Sequence, residues 1–157
     1  MASIHLTTFI AAPVERVFDL SRSIDLHKTS TAQTKEEAVD GVLTGLIKLN
    51  ETVTWKAKHL LKTRWFTSRI TAMEKPDFFC DEMTKGDFKS FRHEHHFKTV
   101  ENGTIMIDLL EFETPYKKIG RVFNKLYLQK YLQDLLLKRN SVIKEYAESG
   151  KWKLVLN

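Results

Sequence analysis

The chain has 157 residues, one cysteine (Cys80), and 25 Lys and Arg against 20 Asp and Glu, giving a formal net charge of +5. That length suits a single domain, 1–157, large enough to bury a core or enclose a pocket. A lone cysteine excludes an intrachain disulfide and fits a cytoplasmic location, while the mild, scattered charge excess excludes nucleic acid as the expected partner.

Residues 3–11 alternate polar and apolar side chains and predict a first strand, too polar for a signal peptide. Pro13 then opens a short helix at its first position, with Val14, Val17 and Phe18 on one face. Ser23 fits the N-cap of a second short helix over residues 23–30, with Leu26 turned inward. Residues 34–50 predict an irregular strand-loop connection, broken by Gly41 and Gly45. Strands follow over residues 52–60, 64–73, 78–85, 90–100 and 104–114. A long helix is expected over 119–147, its apolar stripe formed by Val122, Phe123, Leu126, Tyr131, Leu135, Leu136, Val142, Ile143 and Tyr146. Gly150 stands beyond it as a terminator, and the apolar tail 152–156 packs back on the body. No run is long enough to span a bilayer. The order predicts an α+β fold: a curved antiparallel sheet of six to seven strands around one long C-terminal helix, with two short helices after the first strand. One helix leaves part of such a sheet uncovered, so a cavity between them is expected.

The most informative stretch is Phe91-Arg92-His93-Glu94-His95-His96-Phe97. Strand alternation puts Phe91, His93, His95 and Phe97 on the inner face, where two imidazoles need partners. A type I′ turn at Asn102-Gly103 sets the neighbouring register: Phe97 opposite Asp108, His95 opposite Leu110, His93 opposite Phe112. Asp108 thereby joins the histidine face. The same register sets Arg92 against Glu113, and Glu94 against Glu111, the latter pair repulsive. Over 52–60, Val53, Trp55, Ala57 and His59 share the inner face. Over 78–85 either Asp81 or Glu82 points inward.

The run Phe9-Ile10-Ala11-Ala12-Pro13-Val14-Glu15-Arg16-Val17-Phe18-Asp19-Leu20 resembles the SRPBCC superfamily, the START and pollen-allergen helix-grip group. Ile24-Asp25-Leu26-His27, Thr52-Val53-Thr54-Trp55, Asp81-Glu82-Met83 and the segment from Phe88 to Phe97 are similar to a bacterial subgroup described as cyclase/dehydrase-like or ligand-binding. The resemblance covers nearly the whole chain. It implies the helix-grip fold and a small hydrophobic ligand, and it favours Asp81 as the inner residue. Asn50 and Lys117-Lys118 depart from the pattern near the expected pocket mouth.

Three readings compete for His59, His93, His95 and Asp108. One is a satisfied buried network that fixes register. Another is a polar anchor orienting a ligand's carboxylate, hydroxyl or carbonyl. The third is direct chemistry, through a divalent metal or a His-Asp general base. The expected function is binding of a lipid, polyketide-like or aromatic molecule by Trp55, His59, Asp81, Phe91, His93, His95, Phe97, Met106, Asp108 and Phe112. No metal, no cofactor and no assigned catalytic residue enter this reading, and a homodimer is compatible with it. The alternatives are a cyclase or dehydratase with His93 or His95 as base, and a pocketless regulatory or interaction protein. The segment around Gly41 and Gly45 and residues 117–120 form the expected gate. His27 is expected to be a surface or capping residue, Tyr127 and Tyr131 helix-sheet packing, and Cys80 inert packing.

Overall fold

The alternating segments become one seven-stranded antiparallel sheet, seen in a computed structural model that describes residues 1–114 and 121–156, with backbone alone over 121–124. The strands are β1 (Ala2–Ile10), β2 (Glu37–Gly41), β3 (Thr52–His59), β4 (Lys62–Glu74), β5 (Phe78–Lys85), β6 (Ser90–Val100) and β7 (Gly103–Glu113). Two short helices, α1 (Val14–Ser21) and α2 (Ile24–Ser30), follow β1, and the long helix α3 (Arg121–Glu148) follows β7. The spatial order is β1-β7-β6-β5-β4-β3-β2, so the two helices after β1 carry the chain from one sheet edge to the other. This is the expected α+β architecture, with seven strands.

Local chemistry sets the boundaries. Ser23 caps α2, its hydroxyl accepting the Leu26 N–H at 3.1 Å. Pro13 is the N-cap of α1 rather than its first residue. At Gly41 φ is +77°, and a Cβ there would lie 2.2 Å from the Thr52 carbonyl oxygen, so only glycine fits where β2 meets β3. Gly150 takes no left-handed cap role; it begins a 3-10 turn, Gly150–Leu154, capped by Ser149. Trp152, Val155 and Leu156 do pack back on the core.

The β6–β7 register differs from the expected one by two residues. The reversing residues are Glu101 and Asn102, and Val100 pairs with Gly103. Only Asn102 adopts a left-handed φ, +66°, which asparagine tolerates. His95 therefore faces Asp108, His93 faces Leu110 and Phe97 faces Met106. A two-residue shift preserves the face, so Asp108 still points inward. It also removes the Glu94–Glu111 clash, placing Arg92 opposite Glu111 and Glu94 opposite Leu109.

Two apolar clusters form the core. The larger joins α1, α2, the sheet centre and the C-terminal part of α3, through Phe18, Leu26, Phe79, Phe97, Met106 and Ile143. The smaller joins Ala2, Ile4, Leu110 and Phe112 with Phe88, Phe91, Leu128, Leu132 and Leu136. The stripe on α3 is narrower than expected, because Leu126 is exposed, and the side chains of Val122 and Phe123 lie outside the described residues. Among the described residues no helix is long and apolar enough to cross a membrane.

Candidate functional site

Between sheet and α3 lies a cavity of about 820 Å³. Its wall is mainly apolar, with Val53, Trp55, Phe66, Ile70, Phe79, Phe91 and Leu110 from the sheet, Ile24 from α2, Ile47 from the connection before β3, and Leu128, Leu132, Leu135 and Leu136 from α3. That size lies within the range of small-molecule pockets. Two separate polar clusters break the apolar wall.

The first is built on β5, β6, β7 and α3. Asp108 is fully buried, and His93 and His95 are nearly so. His93 Nε2 donates to Asp108 Oδ1 at 2.8 Å. Asn140 donates to Asp108 Oδ2 at 2.7 Å, and Arg139 Nη1 lies 3.5 Å from Oδ1. His95 Nε2 donates to Asp81 Oδ2 at 2.7 Å, while its Nδ1 receives Arg139 Nη2 at 3.4 Å and lies 3.3 Å from Asp108 Oδ1. Phe79 stacks on His95 with ring centres 4.1 Å apart, and the two imidazoles lie 3.8 Å apart.

Electrostatics fixes the charge states. Burial pushes the Asp108 carboxyl up, but the hydrogen bond from His93, the nearby His95 ring and the Arg139 charge outweigh it and hold the group well below its ordinary range. Asp81 follows the same logic: burial raises it, and the His95 hydrogen bond with nearby His95, His93 and Arg139 brings it lower. His93 is lowered, chiefly by burial and then by His95, against the pull of Asp108. A neutral His93 that donates through Nε2 leaves Nδ1 as an acceptor. Among the described residues neither His93 Nδ1 nor Asp81 Oδ1 takes part in a protein hydrogen bond, and neither is sealed from the cavity. This end of the cavity thus offers two acceptors and is also able to hold a metal ion: Asp81, His93 and His95 each present a ligand atom, all within 4.8 Å of one another.

The second cluster surrounds Glu36. His27 Nε2 lies 2.8 Å from Glu36 Oε2, and His59 Nε2 lies 3.5 Å from Oε1. His59 Nδ1 meets the Tyr131 hydroxyl at 2.8 Å, and His27 leans over Trp55 at 4.3 Å. Burial raises Glu36, but the charge of His27, with His59 and Thr31 beside it, holds it well below its ordinary value. The 2.8 Å His27 contact is an ion pair without hydrogen-bond alignment, so Oε2 remains without a geometric hydrogen bond.

Of the ten residues expected at the site, Trp55, His59, Asp81, Phe91, His93 and His95 line the cavity. Phe97, Met106 and Phe112 do not. Helix α1 covers the sheet at the first two: Phe18 packs edge-on against Phe97 at 5.3 Å, and the Ser21 hydroxyl reaches the Met106 sulfur at 3.4 Å. Phe112 is sealed beneath Phe88 at 5.7 Å. Asp108 sits behind the two imidazoles and cannot touch a ligand, while His59 belongs to the Glu36 cluster rather than to the His93/His95 pair. His27, Tyr127 and Tyr131 line the cavity, contrary to expectation. Gly41 and Gly45 do not; Gly45 is tied to α2 by an N–H bond to Asp25 and by its carbonyl to Ile24. The other half of the expected gate, residues 117–120, lies outside the described residues.

Sequence reasoning missed Glu36, Arg139 and Asn140. The last two carry a readable signal: they are polar residues lying between Leu135-Leu136 and Val142-Ile143 on an otherwise apolar helix stripe. Glu36 lies in the connection before β2, where no periodicity marks it.

No protein-family model matches the chain, and no curated protein matches it. Solved structures do. TTHA0849 from Thermus thermophilus is 19% identical with a TM-score of 0.75, over 93% of this chain and 97% of that one. The Zhui aromatase/cyclase from Streptomyces sp. R1128 is 13% identical with a TM-score of 0.75, over 94% and 93%. The ginseng major latex-like protein 151 from Panax ginseng is 16% identical with a TM-score of 0.67, over 94% and 98%. At these identities the shared property is the fold: an antiparallel sheet curled around one long C-terminal helix, which is the helix-grip fold.

Proposed function

We propose that this protein binds a small, largely apolar molecule carrying a hydroxyl or phenolic end. The observation that carries the reading is the pair of open acceptors, Asp81 Oδ1 and His93 Nδ1, on the wall of a mainly apolar 820 Å³ cavity. An acceptor pair rewards a donor and repels an anion. The fold neighbours, one of them an aromatase/cyclase, are consistent with an aromatic or polyketide-like occupant. A ligand carboxylate or carbonyl, the other ends considered from sequence, would set an acceptor against an ionised Asp81.

The test is titration of intrinsic tryptophan fluorescence, since Trp55 and Trp65 line the cavity. The probes are hydroxyphenanthrene, methoxyphenanthrene and phenanthrene carboxylate. The phenol should bind most tightly, by about 10–150-fold over the ether, because a hydrogen bond to a charged acceptor contributes about 1.5–3 kcal/mol. Equal affinities, or preference for the carboxylate, would refute the reading.

A cyclase or dehydratase is the second reading, and the Asp108–His93 pair favours it. Asp108 orients the ring and leaves Nδ1 facing the cavity as a base. His95 has both nitrogens engaged, so the base in that reading is His93. His93→Ala should then abolish turnover with the fold intact, whereas a pure binder loses affinity alone. The pocketless regulatory reading is the one an open cavity supports least.

A further inference from the structure

We propose that Asp81, His93 and His95 form a binding site for one divalent first-row transition ion, of the zinc or iron(II) kind, opening on the cavity. The ligand atoms come from adjacent strands. His93 and His95 are two apart on the inner face of β6, and Asp81 pairs with His93 across β5–β6. The sheet backbone therefore positions all three. Ligands held at about 2.0–2.2 Å from one tetrahedral ion lie roughly 3.4 Å from each other. The observed limit of 4.8 Å exceeds that by an amount side-chain rotation closes, and His95 Nε2 and Asp81 Oδ2 are already 2.7 Å apart.

The surroundings are those a metal site requires. A ligating imidazole generally donates its second ring N–H to a carboxylate, which sets tautomer and orientation. Asp108 Oδ1 serves both rings here, 2.8 Å from His93 Nε2 and 3.3 Å from His95 Nδ1. His93 is already in the required tautomer. For His95 the ion takes the place of the Nε2 proton, and a proton on Nδ1 donates to Asp108 in place of the Arg139 contact. Arg139 keeps its bonds to the Ser21 carbonyl and to Asn140. Two carboxylates face one guanidinium in this cluster, a balance that favours a cation. The mixed N/O donor set suits zinc or iron(II) over calcium or magnesium. Three protein ligands leave further coordination positions on the cavity side, where a ligand hydroxyl would complete the shell. The site does not depend on that ligand.

The experiment is a cobalt(II) titration of the chelator-stripped full chain, followed by d–d absorption, with zinc(II) displacement measured by calorimetry. The wild type should bind one equivalent of cobalt and release it to zinc. Asp81→Asn, close in shape, should weaken binding at least tenfold, and His95→Gln provides the same test should that variant not fold. Asp108→Asn should weaken it about 10–100-fold by loosening both rings. His5→Ala, on the exposed face of β1 and away from the cavity, should bind as the wild type does. Absence of a saturable cobalt band, or wild-type affinity in both Asp81→Asn and His95→Gln, would overturn the site. Hydroxyphenanthrene titration of the metal-free protein reads the cavity separately, so either reading can fail while the other stands.

Discussion

Asp108 is the residue whose loss should hurt the fold most. Its carboxylate has no exposed surface and meets His93, His95, Arg139 and Asn140. Asp108→Ala removes the anion and leaves the Arg139 guanidinium, itself buried, facing two imidazoles. Breaking a buried ion pair from one side costs about 3–5 kcal/mol, because the remaining charge is uncompensated. A domain of this size shifts its Tm by about 2–4 °C per kcal/mol, so the expected fall is about 6–20 °C. Urea denaturation should show the same loss as a lower midpoint at unchanged slope. Arg139→Met in the Asp108→Ala background separates charge from packing. The double variant should recover part of the loss, since no stranded charge remains. A loss below about 1 kcal/mol for Asp108→Ala, or a double variant less stable than the sum of the singles, would refute the argument that this network is held by charge compensation.

Acid sensitivity should track Glu36. Folding lowers its proton affinity below the ordinary 4.5, so the unfolded chain takes up the proton first and stability falls as pH drops through and below that value. Glu36→Gln should therefore cost stability at neutral pH, and the gap to wild type should close on acidification, as read by thermal melts across pH. A gap that widens in acid would contradict the ion-pair geometry. Cys80 has no exposed surface and burial pushes its thiol up to about 11, so Ellman's reagent should label it only upon unfolding in urea; rapid labelling of the native protein would show that β5 opens locally. Leu135→Trp, which lines the cavity from α3 and lies outside both apolar clusters, should abolish hydroxyphenanthrene binding with little change in Tm, measured by calorimetry and a thermal melt. Retained affinity would place the ligand elsewhere.

Strand alternation, helix periodicity and the Ser23 cap were enough to read nearly every element, because each depends on local spacing. The β6–β7 pairing required knowing which two residues reverse the chain. Asn-Gly suggests itself as the loop, yet only Asn102 needs the left-handed conformation, and Gly103 already pairs with Val100. The face of Asp108 survived that error because strand parity is unchanged by a two-residue slip. The cavity wall was harder. Whether an inward side chain meets space or another side chain depends on what α1 covers, and alternation along a strand carries no information about that. Phe97 and Met106 are as inward as His93, but α1 lies over them. The Glu36 cluster joins α2, β3, α3 and a connecting segment, and no local pattern could assemble it.

The way α3 is supported explains why a hollow exists at all. Its contacts run chiefly to β1, α1, α2 and the C-terminal turn, so the helix rests on one sheet edge and on the two short helices. Opposite β3, β4 and β5 it spans a gap, and there its leucines face the cavity instead of interdigitating with the strands. Arg139 is the point where the two regimes meet. C-terminal to it, Val142 and Ile143 pack in the core; N-terminal to it, Leu135 and Leu136 line the cavity. Its guanidinium bonds the end of α1 through the Ser21 carbonyl and compensates Asp108 in the sheet. One side chain thus couples the seat of the helix to the polar end of the cavity. A ligand or ion that draws Asp81 and the two imidazoles together would be felt at α1 and α3 through that guanidinium, which ties binding at the site to stability of the whole grip.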